Sequence, residues 1–331
     1  MNSILISPLD WGLGHTTRII PIVHSYLKQG AKITIACNNL QKQILGKEFN
    51  NVSFIDIRGY DIELSSSKNQ TLKILFQIPK ILKRIKHEKA FVKEFIKSNN
   101  VDLIISDNRY GFRNNKVKSV IITHQTYIKT PLKFKFFEYL LNSINTVVIN
   151  KFDECWVPDV EGEGNISGEL SHKNKQINNI KYLGILSRFE KINPIEKTNK
   201  VLAIISGPEP QRTLFEDIVV QKLSQENYKS IIVRGTNKDT KKDSDNISFI
   251  NIADSEQLQK LIAQSEYIIS RSGYSSILDY VKLGVKAILV PTPGQTEQEY
   301  LAEYLSQEYD FIYVKQSDFV NYLINRITIP I

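Results

Sequence analysis

The sequence predicts an α/β protein of two doubly wound domains, each a parallel sheet covered by helices on both faces, set across a cleft. Three observations carry that expectation. Short apolar, β-branched runs alternate with longer amphipathic segments along the chain, the pattern of strands joined by crossover helices. The alternation comes as two series of six strands, separated by a polar, Asn- and Lys-rich stretch from Lys173 to Lys200. The 331 residues exceed one ordinary domain, and a hydrophobic content of 41% suffices for two cores.

In the first half, strands are expected at Ser3–Ser7, Lys32–Cys37, Val52–Ile57, Val101–Ser106, Ser119–Thr123 and Glu154–Val157. In the second they are expected at Val201–Ser206, Ser230–Val233, Ser248–Ile250, Tyr267–Ser270, Ala287–Val290 and Phe311–Val314. The domains are placed at 1–185 and 186–331. Forty-three Lys and Arg against 35 Asp and Glu give a net charge of +8, which favours anionic partners. The two cysteines, Cys37 and Cys155, are too few for a disulfide framework and lack metal-ligand spacing, so a reducing, cytoplasmic setting without a bound metal is expected. No run approaches the ~20 apolar residues of a spanning helix.

The first strand runs into Pro8-Leu9-Asp10-Trp11-Gly12-Leu13-Gly14-His15-Thr16-Thr17-Arg18, a glycine-bearing turn that opens a helix. Free backbone N–H groups and the helix dipole there attract anions, so Trp11, Gly12, Gly14, Thr16 and Arg18 are expected to line a diphosphate or acceptor loop. A dinucleotide fingerprint would need glycine at Thr17 and an acid near Cys37–Asn39, and has neither. His15 is the candidate general base, and the alternative is a histidine that braces the turn. Asp107 and His124, each just past a strand end, are the other candidate catalytic groups.

In the second half Tyr267–Ser270 leads into the turn Arg271-Ser272-Gly273 and a helix from Tyr274 to Leu283, closed by Gly284. Strand, glycine turn and helix make a phosphate cradle. Ser275 and Asp279 share a face of that helix, which puts a carboxylate about one turn, roughly 5 Å, from the anion site. It would suit a ribose diol there, or serve as an ordinary first-turn acid. Further on, Pro291-Thr292-Pro293-Gly294-Gln295-Thr296-Glu297-Gln298-Glu299 ends a buried strand and starts another helix. Thr296 and Glu299 have capping-box spacing. Gln298 would meet sugar hydroxyls, the alternative being a solvated surface residue, and Gln295 and Glu297 are expected to bind the donor beside it.

Taken together, these motifs resemble the GT-B glycosyltransferases related to the peptidoglycan N-acetylglucosaminyltransferase that makes lipid-linked disaccharide (glycosyltransferase family 28-like). Gly273, Asp279, Gly284, Val290-Pro291 and Gln298 carry most of the likeness, and Gly-Leu-Gly-His matches the family's Gly-Gly-His loop at His15. The chain also resembles an uncharacterised Bacteroidetes-type group with Asp-Trp-Gly-Leu-Gly-His and Ser-Gly-Pro-Glu-Pro-Gln-Arg-Thr. The resemblance implies two Rossmann-like domains and gives Asp279 the nucleotide ribose and the Gln298 region the donor sugar. It implies inverting transfer from a nucleotide sugar, UDP-linked, to a glycan or lipid-linked hydroxyl acceptor, without cofactor or metal. A nucleotide-sugar hydrolase or epimerase, or a silent binding protein, are the alternatives. Departures exist: Ser206-Gly207-Pro208-Glu209-Pro210-Gln211-Arg212 replaces a more glycine-rich turn, and its prolines remove N–H donors. There Arg212, with Arg271, would supply charge to the diphosphate, and Ser206, Gly207, Gln211, Arg234, Ile252, Ser272 and Tyr274 complete the donor-facing set. His124-Gln125-Thr126 replaces the family's His-Glu-Gln-Asn, so a different acceptor is implied.

Lys68–Lys97 carries nine Lys or Arg and two Glu among apolar residues, and Pro131–Phe137 adds aromatics beside lysines. Such segments suit the anionic inner face of a membrane, or are sheet-covering helices with solvated lysines. No nucleic-acid motif accompanies the charge.

Overall fold

The computed structural model describes residues 2–63, 73, 76–131, 134–191, 195–236, 241–322 and 324. Two all-parallel sheets form. The first joins β1 (Ser3–Pro8), β2 (Lys32–Cys37), β3 (Ser53–Asp56), β4 (Leu103–Asp107), β5 (Lys118–Ile122), β6 (Glu154–Val157) and β7 (Ile180–Tyr182), in the order β3-β2-β1-β4-β5-β6-β7. The second joins β8 (Asn199–Ile204), β9 (Ser230–Val233), β10 (Ile247–Ile250), β11 (Ser265–Ser270), β12 (Ala287–Leu289) and β13 (Ile312–Tyr313), in the order β10-β9-β8-β11-β12-β13. The central strands are buried on both faces, which explains their unbroken apolar runs.

Helices α1 (Leu13–Arg18), α2 (Ile20–Lys28), α3 (Asn39–Glu48), α4 (Ile78–Ser98), α5 (Lys135–Ile149) and α6 (Glu169–His172) belong to the first half of the chain. The second half carries α7 (Gln211–Leu223), α8 (Ser255–Ala263), α9 (Tyr274–Leu283), α10 (Thr296–Glu308) and α11 (Gln316–Phe319). In each sheet the strand order reverses at one place, between β1 and β4 and between β8 and β11. Loops leaving the carboxyl ends of these strands splay apart there and form the natural ligand crevice. The expected motifs sit on those loops: Pro8–His15 after β1, Asp107 at the end of β4, Ser206–Gly207 after β8 and Arg271–Gly273 after β11.

Two expectations are corrected. The polar stretch from Lys173 contains a seventh strand, β7, which pairs with β6; three residues are too short to show a period. The capping box of Thr296 and Glu299 does not form: Gln295 occupies the N-cap, and Glu299 Oε1 accepts from Gly294 N at 2.9 Å. Sheet one ends at Tyr182 and sheet two starts at Asn199, yet Ile166, Leu170 and Phe189 pack into the core that holds Leu278, Leu301 and Leu305. Among the described residues no helix is long and apolar enough to cross a membrane. Residues 68–72, 74, 75, 132 and 133 of the two basic segments lie outside the described residues.

Candidate active site

The loop after β1 is pinned from several sides before it reaches α1. Arg109 Nε donates to Pro8 O at 2.9 Å, Gln41 Nε2 donates to Leu9 O at 3.0 Å and to Thr16 Oγ1 at 3.2 Å, and Tyr60 N donates to Asp10 Oδ1 at 3.0 Å. Arg109 is fully buried and paired with Glu88 at 2.9 Å. Gly12 turns the chain at φ 79°, a left-handed conformation that suits glycine, and Trp11 stays exposed beside it. The N-terminal loop lies directly against the second half. A Cβ on Gly12 would reach within 3.8 Å of Gly207, and one on Gly14 within 3.1 Å of Ser275 Oγ.

Behind this loop a charged cluster spans both halves of the chain. His15 Nδ1 lies 3.2 Å from Asp107 Oδ2 and 2.7 Å from Arg18 NH2. The Arg18 guanidinium binds both oxygens of Asp107 and approaches His124 Nδ1 at 3.1 Å. His124 Nε2 in turn meets Glu297 Oε1 at 2.7 Å across the cleft, and Gln125 Nε2 donates to the other Glu297 oxygen. The His124 ring stacks on Tyr274 with centroids 4.1 Å apart. Burial by itself would raise the Asp107 pKa, but Arg18 and His15 outweigh it and hold the carboxyl below its ordinary range. Burial lowers the His124 pKa, and Arg18 and His15 add to that against the pull of Glu297. Because Arg18 can only donate, it fixes His124 as a neutral ring with its hydrogen on Nε2, given to Glu297. Glu297 stays ionised, since His124 overcomes the cost of its burial. Asp107, Arg18 and His124 are sealed, while 15% of the His15 side chain remains exposed.

On the opposite wall, Gly273 is the N-cap of α9 and makes no side-chain cap, which leaves the first N–H groups of the helix without one. Ser272 Oγ donates to Gln298 O at 2.7 Å, and Gln298 Oε1 accepts from Thr292 N at 2.9 Å. The acceptor atom of the Gln298 amide is thus spent inside its own loop. Ser206, Gln295 and Ile252 are half-buried on loops past β8, β12 and β10, and Gln211 is buried at the first turn of α7.

Several expected ligand contacts are corrected. Arg271 is buried over the Phe215 ring at 4.0 Å and donates to Val290 O and Pro291 O, so it braces the end of β12; burial pushes its pKa down to about 9. Arg212 is held by Glu209 at 2.7 Å and Glu216 at 2.6 Å, and Arg234 by Glu216 at 2.7 Å, so their charges are matched within the protein. Thr16 and Arg18 face inward to Gln41 and Asp107, not to an open phosphate loop. Asp279 accepts from Ser187 Oγ at 2.6 Å and lies 3.5 Å from Arg188 Nε, so it anchors the segment between the sheets instead of presenting an open ribose-facing carboxylate; burial raises its pKa. His124 and Glu297 bridge the halves instead of standing free as base and sugar ligand. The sequence reading missed Arg109, Glu88 and Gln41, whose partners lie on distant strands and helices.

The comparisons with known proteins agree with this fold. Residues 202–328 match the glycosyltransferase family 28 C-terminal domain. An uncharacterized glycosyltransferase of Methanosarcina acetivorans is 23% identical, covering 92% of this chain and 83% of that protein. Among solved structures, Arabidopsis thaliana UGT89C1 complexed with UDP-L-rhamnose is similar at TM-score 0.65 and 12% identity, over 99% of this chain and 91% of that one. The glycotransferase of kitacinnamycin is similar at TM-score 0.64 and 11% identity, over 98% and 88%. With two parallel-sheet domains and a second half that matches the family 28 C-terminal domain, the chain is a glycosyltransferase of the GT-B type.

Proposed function

We propose that the chain transfers a sugar from a UDP-linked donor to a hydroxyl of a glycan or lipid-linked acceptor with inversion. The observation that carries this reading is the His15–Asp107 pair at the switch point of the first sheet, facing the glycine-lined turns of the second. To act as base His15 must carry its hydrogen on Nδ1 and donate it to Asp107, which frees Nε2 for the acceptor's proton; Arg18 NH2, 2.7 Å from the same Nδ1, then turns its N–H groups to Asp107 alone. The acceptor oxygen then forms a bond to the anomeric carbon, the bond from that carbon to the diphosphate breaks, and the nucleoside diphosphate leaves. Backbone N–H groups at Gly207 and at the start of α9 stabilise the departing charge in place of a metal. Two acids around the cleft are matched by arginines, Asp107 by Arg18 and Glu209 by Arg212, and Glu297 accepts the N–H of the neutral His124 ring.

The test is turnover with UDP-, GDP-, dTDP- and CMP-linked donors against an acceptor panel, with the product anomer read by NMR and activity repeated in EDTA. His15→Ala should cost about 10²–10⁴-fold in kcat with donor binding kept, as for loss of a general base. Unchanged turnover would sink the assignment, and sugar released without any acceptor would make the enzyme a hydrolase.

A further inference from the structure

Four non-glycine residues among those described hold a left-handed φ: Asp61 at 51°, Asn108 at 57°, Asn179 at 53° and Asp310 at 56°. That conformation strains any residue with a Cβ, and Asn and Asp tolerate it best because their short polar side chains can hydrogen-bond close by. Three of the four are engaged in this way. Asp61 Oδ2 accepts from Arg84 NH2 at 3.0 Å, Asn179 Nδ2 donates to Asp153 O at 3.2 Å, and Asp310 accepts from Lys286 at 2.9 Å. Asn108 differs: its amide makes no hydrogen bond among the described residues, and its Oδ1 is buried without a partner. Its neighbours set the turn. Ser106 Oγ accepts from Arg109 N at 3.1 Å and donates to Arg109 O at 2.6 Å, Asn108 N donates to Ile122 O at 3.1 Å, and the fully buried Arg109 side chain is held by Pro8 O and Glu88. A backbone over-determined in this way would take glycine with less strain, so the fold gives no reason for a carboxamide here. A buried acceptor left unpaired is destabilising besides. The position supplies a reason. Asn108 is half-buried and opens the loop that leaves β4 at the switch point of the first sheet, one residue after the Asp107 that holds His15, and Leu9 N donates to Asp107 O at 3.0 Å, so the β1 and β4 loops run side by side there.

We propose that Asn108 binds the acceptor. Its carboxamide takes the polar group beside the attacking hydroxyl, so the acceptor is a sugar ring whose reacting hydroxyl has a hydroxyl or acylamino neighbour. The inference deepens the transfer reading and rests on it for the hydroxyl that His15 deprotonates. A carboxamide donates through Nδ2 and accepts through Oδ1, and a vicinal diol or an acylamino group offers the complementary pair. An isolated alcohol or a phenol would leave the Asn108 oxygen unpaired, and a site with an unmatched buried polar group discriminates against such a ligand. The neighbouring group is uncharged, because the guanidiniums at this turn are already paired, Arg18 with Asp107 and Arg109 with Glu88. Strained residues that the surrounding structure holds in place collect at ligand-binding sites, and Asn108 has both the strain and an unengaged side chain.

The experiment is a saturation-transfer NMR titration of the full chain, wild type and Asn108→Gly, with UDP present. The probes are the methyl glycosides of glucose, galactose, mannose and N-acetylglucosamine, with cyclohexanol as the ring alcohol that has no polar neighbour. Wild type should bind at least one glycoside, and cyclohexanol about tenfold or more weakly. Asn108→Gly should weaken that glycoside by about tenfold or more and leave cyclohexanol unchanged. Its affinity for UDP should be kept and its Tm should not fall, because a φ of 57° suits glycine. A merely structural Asn108 would show the reverse, a lower Tm with glycoside affinity unchanged. Retained glycoside affinity in Asn108→Gly, a drop in its Tm, or a wild type that binds no glycoside better than cyclohexanol would each overturn the proposal. Failure of the transfer reading would appear separately, as glycoside binding that depends on Asn108 in a protein that transfers no sugar from UDP-, GDP-, dTDP- or CMP-linked donors.

Discussion

Arg18 is the residue on which the charged cluster balances, because it neutralises Asp107 and orients both histidines. Its truncation leaves a sealed carboxylate without a partner, so Arg18→Ala should destabilise the protein by about 3–5 kcal/mol in urea unfolding. His124 sets a pH dependence. Its folded pKa lies below the ordinary 6.5, so the unfolded chain takes up the proton first. Stability should therefore hold above pH 6.5 and fall as pH drops below it, and His124→Gln should flatten that slope in thermal melts; an unchanged slope would refute the assignment. Gly273 offers a cleaner probe of the donor wall. It has φ −75°, and a Cβ there would meet nothing within 4 Å, so the fold does not require glycine. Gly273→Ala should leave Tm unchanged and raise the donor KM. The residue types of the site were legible in sequence, but their orientations were not. Glu209 and Glu216, three before and four after Arg212, already signalled that its charge would be matched, whereas the seat of Arg271 on Phe215 is a tertiary fact that spacing cannot show.

At the level of elements, the strands were legible because parallel strands buried on both faces read as continuous apolar runs. β7 escaped for want of length, and the exposed stripe of Phe136, Leu140, Ile144 and Val147 on α5 escaped because periodicity reports a stripe without saying which way it faces. The contact between α6 and α10 shows how closely these elements fit. Gly168 sits at φ 53°, and a Cβ there would lie 2.1 Å from Tyr300 Oη, which also accepts from Glu169 N at 2.7 Å. Gly168→Ala should cost about 2–3 kcal/mol from the left-handed backbone and the clash together, measured by denaturant unfolding.

At the scale of the whole molecule, the cores do not divide where the sheets do. Ile166, Leu170 and Phe189 precede the second sheet and lie in its core. A fragment starting at Asn199 loses their burial, roughly 5–9 kcal/mol for three large apolar side chains, against a domain stability of about 5–15 kcal/mol. It should show no cooperative melt, while the full chain should give one calorimetric transition. The same interlocking core sets an order of events on the ribosome. Ile166 and Leu170 emerge more than a hundred residues before Leu301 and Leu305 are made, a wait on the order of ten seconds at ordinary rates of synthesis. During that interval the nascent first domain carries a bare apolar patch, a natural target for chaperones, and its folding is completed only once Leu301 and Leu305 have been made.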